Sequence, residues 1–402
     1  MISVQDTSTP VVLLRSIRHS GVGLTRSLGR LGIAVHSIEA ERRAPVFSSR
    51  YCAGRVVWDL EHAPAEESLR LLADVGRRLG RRALLVPTTD AAAMFVADHA
   101  DDLREQYLFP DQPAGLVRSL CSKESMYYLA KRAGIPTPDC AFPKSRADVR
   151  AFLHTARFPV MLKGIFGREL KIRAGQRMFI VRTADELLEH YDRLEDPDRP
   201  NLMIQEYIPG GEDTIWMFNG YFDRQSECLI GFTGRKIRQC PAYTGPTSLG
   251  VCLRNDTVAR QTRTLVKALG YRGVLDIGYR YDARDGRFKV LDVNPRIGHT
   301  FRLFVARNGM DVARALYLDL TGQPVPASEP REGRKWIVED CDLFSSLRYR
   351  RDGRLTVREW LRSLRGIEEG GYAALDDPLP AASICLVDLR LICGRLLGAL
   401  RG

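Results

Sequence analysis

Short apolar runs alternate with amphipathic stretches through the first hundred residues. Val11 to Leu14, Ala34 to Ile38, Arg55 to Trp58 and Ala83 to Val86 read as strands, with helices over Leu24 to Leu31 and near Glu66 to Leu79. That order predicts a parallel sheet covered by helices, because parallel neighbours need crossover connections. Gly21 and Gly23 follow the first strand without the full G-x-G-x-x-G pattern, so they read as a tight turn between strand and helix rather than a dinucleotide site. Thr88, Thr89 and Asp90 end the fourth strand. They read as a cap on the helical stretch Ala91 to Ala97, or as residues aimed into the cleft where open α/β sheets gather ligands.

The pattern changes near Pro113. Ser122 to Ala133 reads as a helix stopped at Gly134, and Ile135-Pro136-Thr137-Pro138 as a stiff extended connector that cannot continue it. A helix over Ala147 to Ala156 leads to the strand Phe158 to Lys163. The glycine-spaced segment Gly164, Gly167 and Gly175, with Lys171 inside it, reads as a mobile loop before the strand Met178 to Val181. The helix Ala184 to Leu194 precedes Leu202-Met203-Ile204-Gln205-Glu206-Tyr207-Ile208-Pro209-Gly210-Gly211-Glu212-Asp213, where a strand runs into a turn followed by acids. Strands follow over Thr214 to Tyr221 and Cys228 to Thr233, then a helix near Thr257 to Leu269. An antiparallel hairpin has arms Gly273 to Tyr281 and Phe288 to Val293 and its turn at Asp285-Gly286. Gly322 to Gly333 reads as a linker into a tail. The end of that tail, Ile384 to Leu400, carries Asp388 and Arg395 on one face and Arg390 nearly opposite, which predicts packing onto the body rather than membrane binding.

A chain of 402 residues can hold two or three domains, and no uncharged apolar stretch of ~18 residues appears, so no transmembrane segment is expected. The formal charge of +11 favours anionic partners without choosing among nucleotides, nucleic acid and acidic lipid. The first residues lack the pattern of a secretory signal, which makes the cytoplasm the expected compartment. Nine cysteines are scattered singly with no C-x-x-C pair, so neither a zinc cage nor a disulfide framework is expected. Only nine of the 60 basic residues are lysines, so the position of each lysine carries information.

Binding a nucleoside triphosphate takes cations for the phosphates, an edge for the base, an acceptor for the ribose and oxygen ligands for a divalent ion. The chain offers these in one order. Lys123 and Lys163 are the candidate phosphate cations, Lys163 at a strand end beside the glycine-spaced segment; the ordinary alternative for each is a surface lysine. The backbone of Gln205, Glu206, Tyr207 and Ile208 could read a base edge, with Glu212 or Asp213 accepting from ribose hydroxyls. Arg235, Lys236 and Arg238 follow a strand and are candidates to neutralise phosphate charge, or are a solvated face. Asp292, Asn294 and Arg296 alternate along Leu291-Asp292-Val293-Asn294-Pro295-Arg296. A continuing strand would place all three on one face as hard ligands for Mg²⁺ and a cation for an oxyanion.

These pieces, from Val11 to Leu320, resemble the ATP-grasp superfamily, specifically its carboxylate-amine ligases similar to D-aspartate ligase. The matching motifs are Arg26-Ser27-Leu28-Gly29, Ser122-Lys123-Glu124, Phe158 to Lys163, Gln205 to Gly210, Gly234-Arg235-Lys236 and Leu291 to Gly298. The resemblance implies an α/β ATP-grasp fold at residues 113–322, a Rossmann-like preATP-grasp domain at 1–112 and a C-terminal extension at 323–402. It implies that Lys123 and Lys163 hold ATP phosphates, Glu206 and Ile208 meet adenine by backbone, and Glu212 binds ribose. Asp292 and Asn294 would ligate Mg²⁺, and Arg296 would steady the transferring phosphoryl group or acyl phosphate. The family's second acidic ligand falls at Gly278, with Asp276 as the nearest substitute on the same face.

The implied activity is an ADP-forming C–N ligase that uses ATP and Mg²⁺ to join a small-molecule carboxylate to an amine through an acyl phosphate. The rival readings are a carboxylase or carbamoyl-phosphate-type reaction with bicarbonate as the acid, a degenerate nucleotide binder weakened at Gly278, and a basic binding protein supported only by net charge. No specific nucleic-acid partner is indicated. Oligomeric state stays open, a homo-oligomer included.

Overall fold

The computed structural model describes residues 2, 4–16 and 18–387. The N-terminal unit is a five-stranded parallel sheet in the order β3-β2-β1-β4-β5. Its strands are β1 (Val11–Leu14), β2 (Val35–Glu39), β3 (Cys52–Val57), β4 (Ala83–Pro87) and β5 (Tyr107–Leu108), with helices α1 (Arg18–Gly29), α2 (Ala65–Leu79), α3 (Asp90–Asp98) and α4 (Ala100–Leu103). All of β1 is buried, as both faces of a parallel sheet require. The chain order reverses between β1 and β4, which opens a crevice at the ends of these strands where α1 and α3 begin.

The second unit is a four-stranded antiparallel sheet in the order β6-β9-β7-β8, built from β6 (Cys140–Ala141), β7 (Val160–Gly164), β8 (Met178–Val181) and β9 (Leu202–Glu206). The helices α7 (Arg146–Leu153), α8 (Gly167–Ala174) and α9 (Ala184–Leu194) pack on it, whereas α5 (Leu116–Cys121) and α6 (Lys123–Arg132), which precede it in the chain, share a core with the seven-stranded sheet of the third unit. Here one expectation fails. The glycine-spaced segment after β7 is not a loop: residues 167–174 close a helix whose C-cap, Gly175, takes the left-handed φ of +72° that glycine adopts without strain. Gly21 and Gly23 likewise sit inside α1 rather than in a turn, where a Cβ on Gly21 would press on the Ser16 backbone.

The third unit is a seven-stranded sheet in the order β14-β13-β10-β11-β12-β15-β16. Its strands are β10 (Ile215–Phe222), β11 (Cys228–Gln239), β12 (Thr247–Cys252), β13 (Gly273–Asp282), β14 (Arg287–Asn294), β15 (Lys335–Ile337) and β16 (Ile367–Gly370). Helices α10 (Asp256–Leu269), α11 (Val312–Leu320), α12 (Glu339–Arg351) and α13 (Val357–Ser363) accompany it among the described residues. The predicted hairpin is β13–β14, turned with Gly286 at a φ of +71°. The tail beyond the linker is part of the fold, because β15 and β16 extend this sheet. Of the apolar stretch from Ile384 to Leu400, Ile384 is buried in the main core, and residues 388–400 lie outside the described residues.

That core joins the units. Val11 and Leu13 of β1, Phe232 of β11, Phe301 and Trp336 belong to one buried cluster, so the crevice of the parallel sheet faces the seven-stranded sheet across shared packing. Buried charges reinforce the seam: Arg26 of α1 donates to Asp377 Oδ2 at 2.9 Å and to the carbonyls of Tyr372 and Asp377, both at 2.7 Å.

Candidate active site

The β13–β14 register sets Asp276 opposite Asn294 and Gly278 opposite Asp292. Directly opposed residues in an antiparallel pair share a face, so Asp276, Asp292 and Asn294 point the same way. The Asn294 amide joins them, donating to Asp276 Oδ2 and to Asp292 Oδ2, both at 3.2 Å. The strand ends at Asn294, yet Arg296 still reaches the group: its Nη2 donates to Asn294 Oδ1 at 3.1 Å and its Nε to Asp90 Oδ1 at 2.8 Å. Both readings of the β4 end are therefore realised, since Thr89 caps α3 by accepting from the Ala92 amide at 3.1 Å while Asp90 faces the cleft.

Two carboxylates in one half-buried cluster repel each other. Burial pushes the Asp276 carboxyl up to about 6, with Arg296 opposing the rise and Asp292 adding to it. A hard cation relieves that cost. Among the described residues no group of three His, Cys, Asp or Glu side chains gathers, so two acids and an amide would fill only part of an octahedron. That donor set fits Mg²⁺, which keeps coordination positions for phosphate and water. Gly278 makes room for it: a Cβ there would lie 2.6 Å from Asp292 Oδ1. The glycine in place of the expected acid thus accommodates Asp292.

Cations face this group. Lys163 of β7 is 8% exposed and donates to Gln205 Oε1 at 3.0 Å. Burial, aided by the charge of Lys123, lowers its amine to about 8, which places the two lysines together. Lys123 opens α6 behind the N-cap Ser122, where the helix dipole also favours a phosphate. Lys236 of β11 donates to the Gly245 carbonyl at 3.1 Å; burial lowers its amine, while Asp292 and Asp276 pull it back up.

The turn after β9 is held firmly. The Glu206 carboxylate bonds Arg284, Lys289 Nζ at 3.2 Å and the Asp139 amide at 3.2 Å, and its own amide donates to the Asp139 carbonyl at 2.8 Å. The Glu206 carboxylate and amide are thus both engaged, and its carbonyl accepts a long 3.4 Å bond from Gln205 Nε2. Ile208 is buried beside it, and Tyr207 lies close enough to Arg280 to influence its charge. Glu212 Oε1 accepts from Tyr349 of α12 at 2.6 Å, so the tail fixes the expected ribose acceptor; Asp213 lies close enough to Arg280 to act on its charge.

Two of the three β11 cations do not join the site. Successive strand residues point to opposite faces, and Arg235, paired with Trp216 and Val251, faces away from Lys236. Arg238 is consumed structurally, with Nε and Nη2 each 2.8 Å from the Asp342 carboxylate. Arg280 does join, donating to the Gly210 carbonyl at 2.6 Å within the field of Lys163 and Lys236. It alternates with Asp276 and Gly278 in β13, a period-two signal that the sequence displayed.

The turn after β9, the neighbouring Lys123 and Lys163 and the acid-lined β13–β14 hairpin face one cleft. The fold is the ATP-grasp fold. The chain is 23% identical over 307 residues to a D-aspartate ligase of Enterococcus faecium (strain Aus0004), a match spanning 73% of this chain and 72% of that protein. Its fold matches an ADP complex of N5-carboxyaminoimidazole synthetase from Staphylococcus aureus with a TM-score of 0.63 at 13% identity, over 83% of this chain and 82% of that one. It also matches an L-amino acid ligase from Bacillus licheniformis with a TM-score of 0.59 at 16% identity, over 82% and 76% respectively. No family model matches the chain. Among the described residues, no helix is long and apolar enough to cross a membrane.

Proposed function

We propose that this ATP-grasp protein is an ADP-forming carboxylate–amine ligase. The observation that carries the reading is the single cleft in which Asp276, Asp292, Asn294 and Arg296 face Lys163, Lys236 and Arg280. Lys123 and Lys163 hold the phosphates, and Glu206, Ile208 and Glu212 receive the nucleoside, with Gln205 holding the Lys163 ammonium in place. A carboxylate oxygen attacks the γ-phosphorus of ATP, the bond to the β,γ-bridging oxygen breaks, and ADP leaves. The resulting acyl phosphate is attacked at its carbonyl carbon by a free amine; inorganic phosphate departs, the nitrogen loses a proton and an amide remains.

The first step brings an anion to an anion, and positioning with charge neutralisation is what the protein supplies. Asp276, Asp292 and Asn294 would hold Mg²⁺, which when bound offsets charge on the β- and γ-phosphates. Arg296 is fixed between Asp90 and Asn294, so its guanidinium is preorganised for the transferring group. The D-aspartate ligase and the L-amino acid ligase support a small carboxylate and an amine as substrates. Such a ligase draws ATP from the cytoplasm.

Incubation with Mg·ATP, hydroxylamine and a panel of carboxylates, bicarbonate included, tests the reading. ADP release coupled to hydroxamate formation, abolished in Lys163→Ala, is the expected result. Release with bicarbonate alone would move the assignment to carboxylase-type chemistry. No nucleotide binding by the folded protein would overturn it.

A further inference from the structure

Two cysteines distant in the chain meet beside the nucleotide cleft. Cys240 follows the end of β11, and Cys341 lies in the first turn of α12. Their segments are clamped together on both sides of Cys240: Arg238 Nε donates to Asp342 Oδ1 at 2.8 Å, and the Tyr243 amide donates to Tyr349 Oη at 3.1 Å. Between these clamps the two thiols share a hydrogen bond. Both cysteines are partly exposed, so a small solute reaches them.

The two thiols are not equivalent. The hydrogen bond with Cys341 holds Cys240 below the ordinary thiol value, aided by Arg18, against burial and the charges of Asp340 and Asp342. The same bond holds Cys341 above that value, so Cys240 gives up its proton first. Burial instead raises the thiols of Cys52, Cys121, Cys140, Cys228 and Cys252. The thiolate is the nucleophile, which singles out Cys240.

A tight loop ties Cys240 to the cleft. The Cys240 amide donates to the Pro246 carbonyl and the Gly245 amide to the Pro241 carbonyl, both at 2.9 Å, and a Cβ on Gly245 would overlap the Cys240 carbonyl. The Gly245 carbonyl in turn accepts from Lys236 Nζ. On the opposite side of the pair, α12 carries the Tyr349 hydroxyl that donates to Glu212. The thiols therefore bridge the segments that hold Lys236 and Glu212.

We propose that Cys240 and Cys341 are a hydroperoxide-reactive pair whose disulfide weakens nucleotide binding by displacing Gly245 and, with it, the Lys236 ammonium. The proposal rests on the ligase reading of the cleft and adds its control by oxidant. The Cys240 thiolate attacks the terminal oxygen of a hydroperoxide, the O–O bond breaks, and the alkoxide leaves as an alcohol with the proton Cys240 had lost. Cys240 is then a sulfenic acid. The Cys341 sulfur attacks the Cys240 sulfur, the S–O bond breaks, hydroxide leaves as water with the Cys341 proton, and an S–S bond remains. Two thiols have lost two electrons and two protons, and the hydroperoxide has taken up both. A covalent bond of about 2.05 Å replaces a longer hydrogen bond. Pro241, Tyr243 and Thr244 are exposed, so the loop rather than the packed helix gives way.

The test treats the reduced full chain with hydrogen peroxide, maps its peptides without reduction, and titrates Mg·ATP calorimetrically before and after. A peptide linking Cys240 to Cys341 should appear. The Kd for Mg·ATP should rise by about 3–10-fold, the scale of one weakened charge-assisted contact, and return with dithiothreitol. Cys341→Ser should halt at a Cys240 sulfenic acid that dimedone traps, and in both Cys341→Ser and Cys240→Ser the Kd should no longer respond to peroxide. Absence of the linked peptide from oxidised wild-type protein overturns the proposal, as does a linked protein with unchanged affinity or a peroxide effect that persists in both variants. All three leave the ligase reading standing. A reduced protein that binds no Mg·ATP overturns the ligase reading and the effect on the cleft with it, while the linked peptide still decides the thiol chemistry.

Discussion

Replacing Lys163 by methionine should stabilise the ligand-free protein while removing its affinity for nucleotide. The fall of this amine from 10.5 to about 8 reflects a charge held in a buried site beside Lys123. At ~1.36 kcal/mol per tenfold, the charged form is disfavoured in the folded state by on the order of 3 kcal/mol. Methionine keeps most of the side-chain volume and removes the charge, leaving the Gln205 oxygen unpaired at a cost of about 1 kcal/mol. The net expectation is a gain of ~2 kcal/mol, a rise of a few degrees in melting temperature. The pH dependence follows from the direction of the shift. The unfolded chain binds the extra proton between about pH 8 and 10.5, so the wild-type penalty is fully present below pH 8 and fades as pH rises through that window. The variant's advantage should fade with it. Differential scanning fluorimetry across pH 7 to 10 measures the advantage, and calorimetry with Mg·ATP measures the lost affinity. A variant that is destabilised at pH 7, or that binds Mg·ATP as well as wild type does, would refute the reasoning.

Gly278→Asp, which would place an acid where the resemblance leads one to expect it, should lower turnover at least tenfold, because its Cβ intrudes on Asp292 and a third carboxylate joins a half-buried acidic pair; a gain in turnover would show the present site to be incomplete. Lys236→Met should reduce kcat by about 100-fold, on the scale of losing one preorganised cation, while Arg235→Met leaves it within twofold, since the two side chains lie on opposite faces of β11; steady-state ADP release separates them. Arg26→Met should destabilise the protein by about 3–5 kcal/mol by stranding Asp377 at 1% exposure, seen as a lower denaturation midpoint, with KM for ATP unchanged in the folded fraction.

The two sheets that frame the cleft were largely legible in the sequence, because apolar periodicity and turn chemistry are local properties. The β13–β14 hairpin is the clearest case: period-two alternation and Asp285-Gly286 fix its register, and register alone puts Asp276, Asp292 and Asn294 on one face. The helix α8 was missed because glycine spacing signals flexibility, whereas packing of Leu170 at 2% exposure stabilises the helix. Arg238 was misassigned for a related reason, as only the fold reveals that Asp342, more than a hundred residues away, occupies its guanidinium. The same holds for Arg26, whose partner Asp377 lies across the molecule.

The sequence by itself determined which residues are chemically able to bind a nucleotide and in what order they occur, since side-chain chemistry and local periodicity travel with the chain. Tertiary structure decided which of those cations remain available, that Gly278 makes way for Asp292, and that Trp336 and Tyr372 pack against His19. Those outcomes depend on contacts between residues tens to hundreds of positions apart, and the burial that shifts a lysine or an aspartate exists only once those contacts have formed.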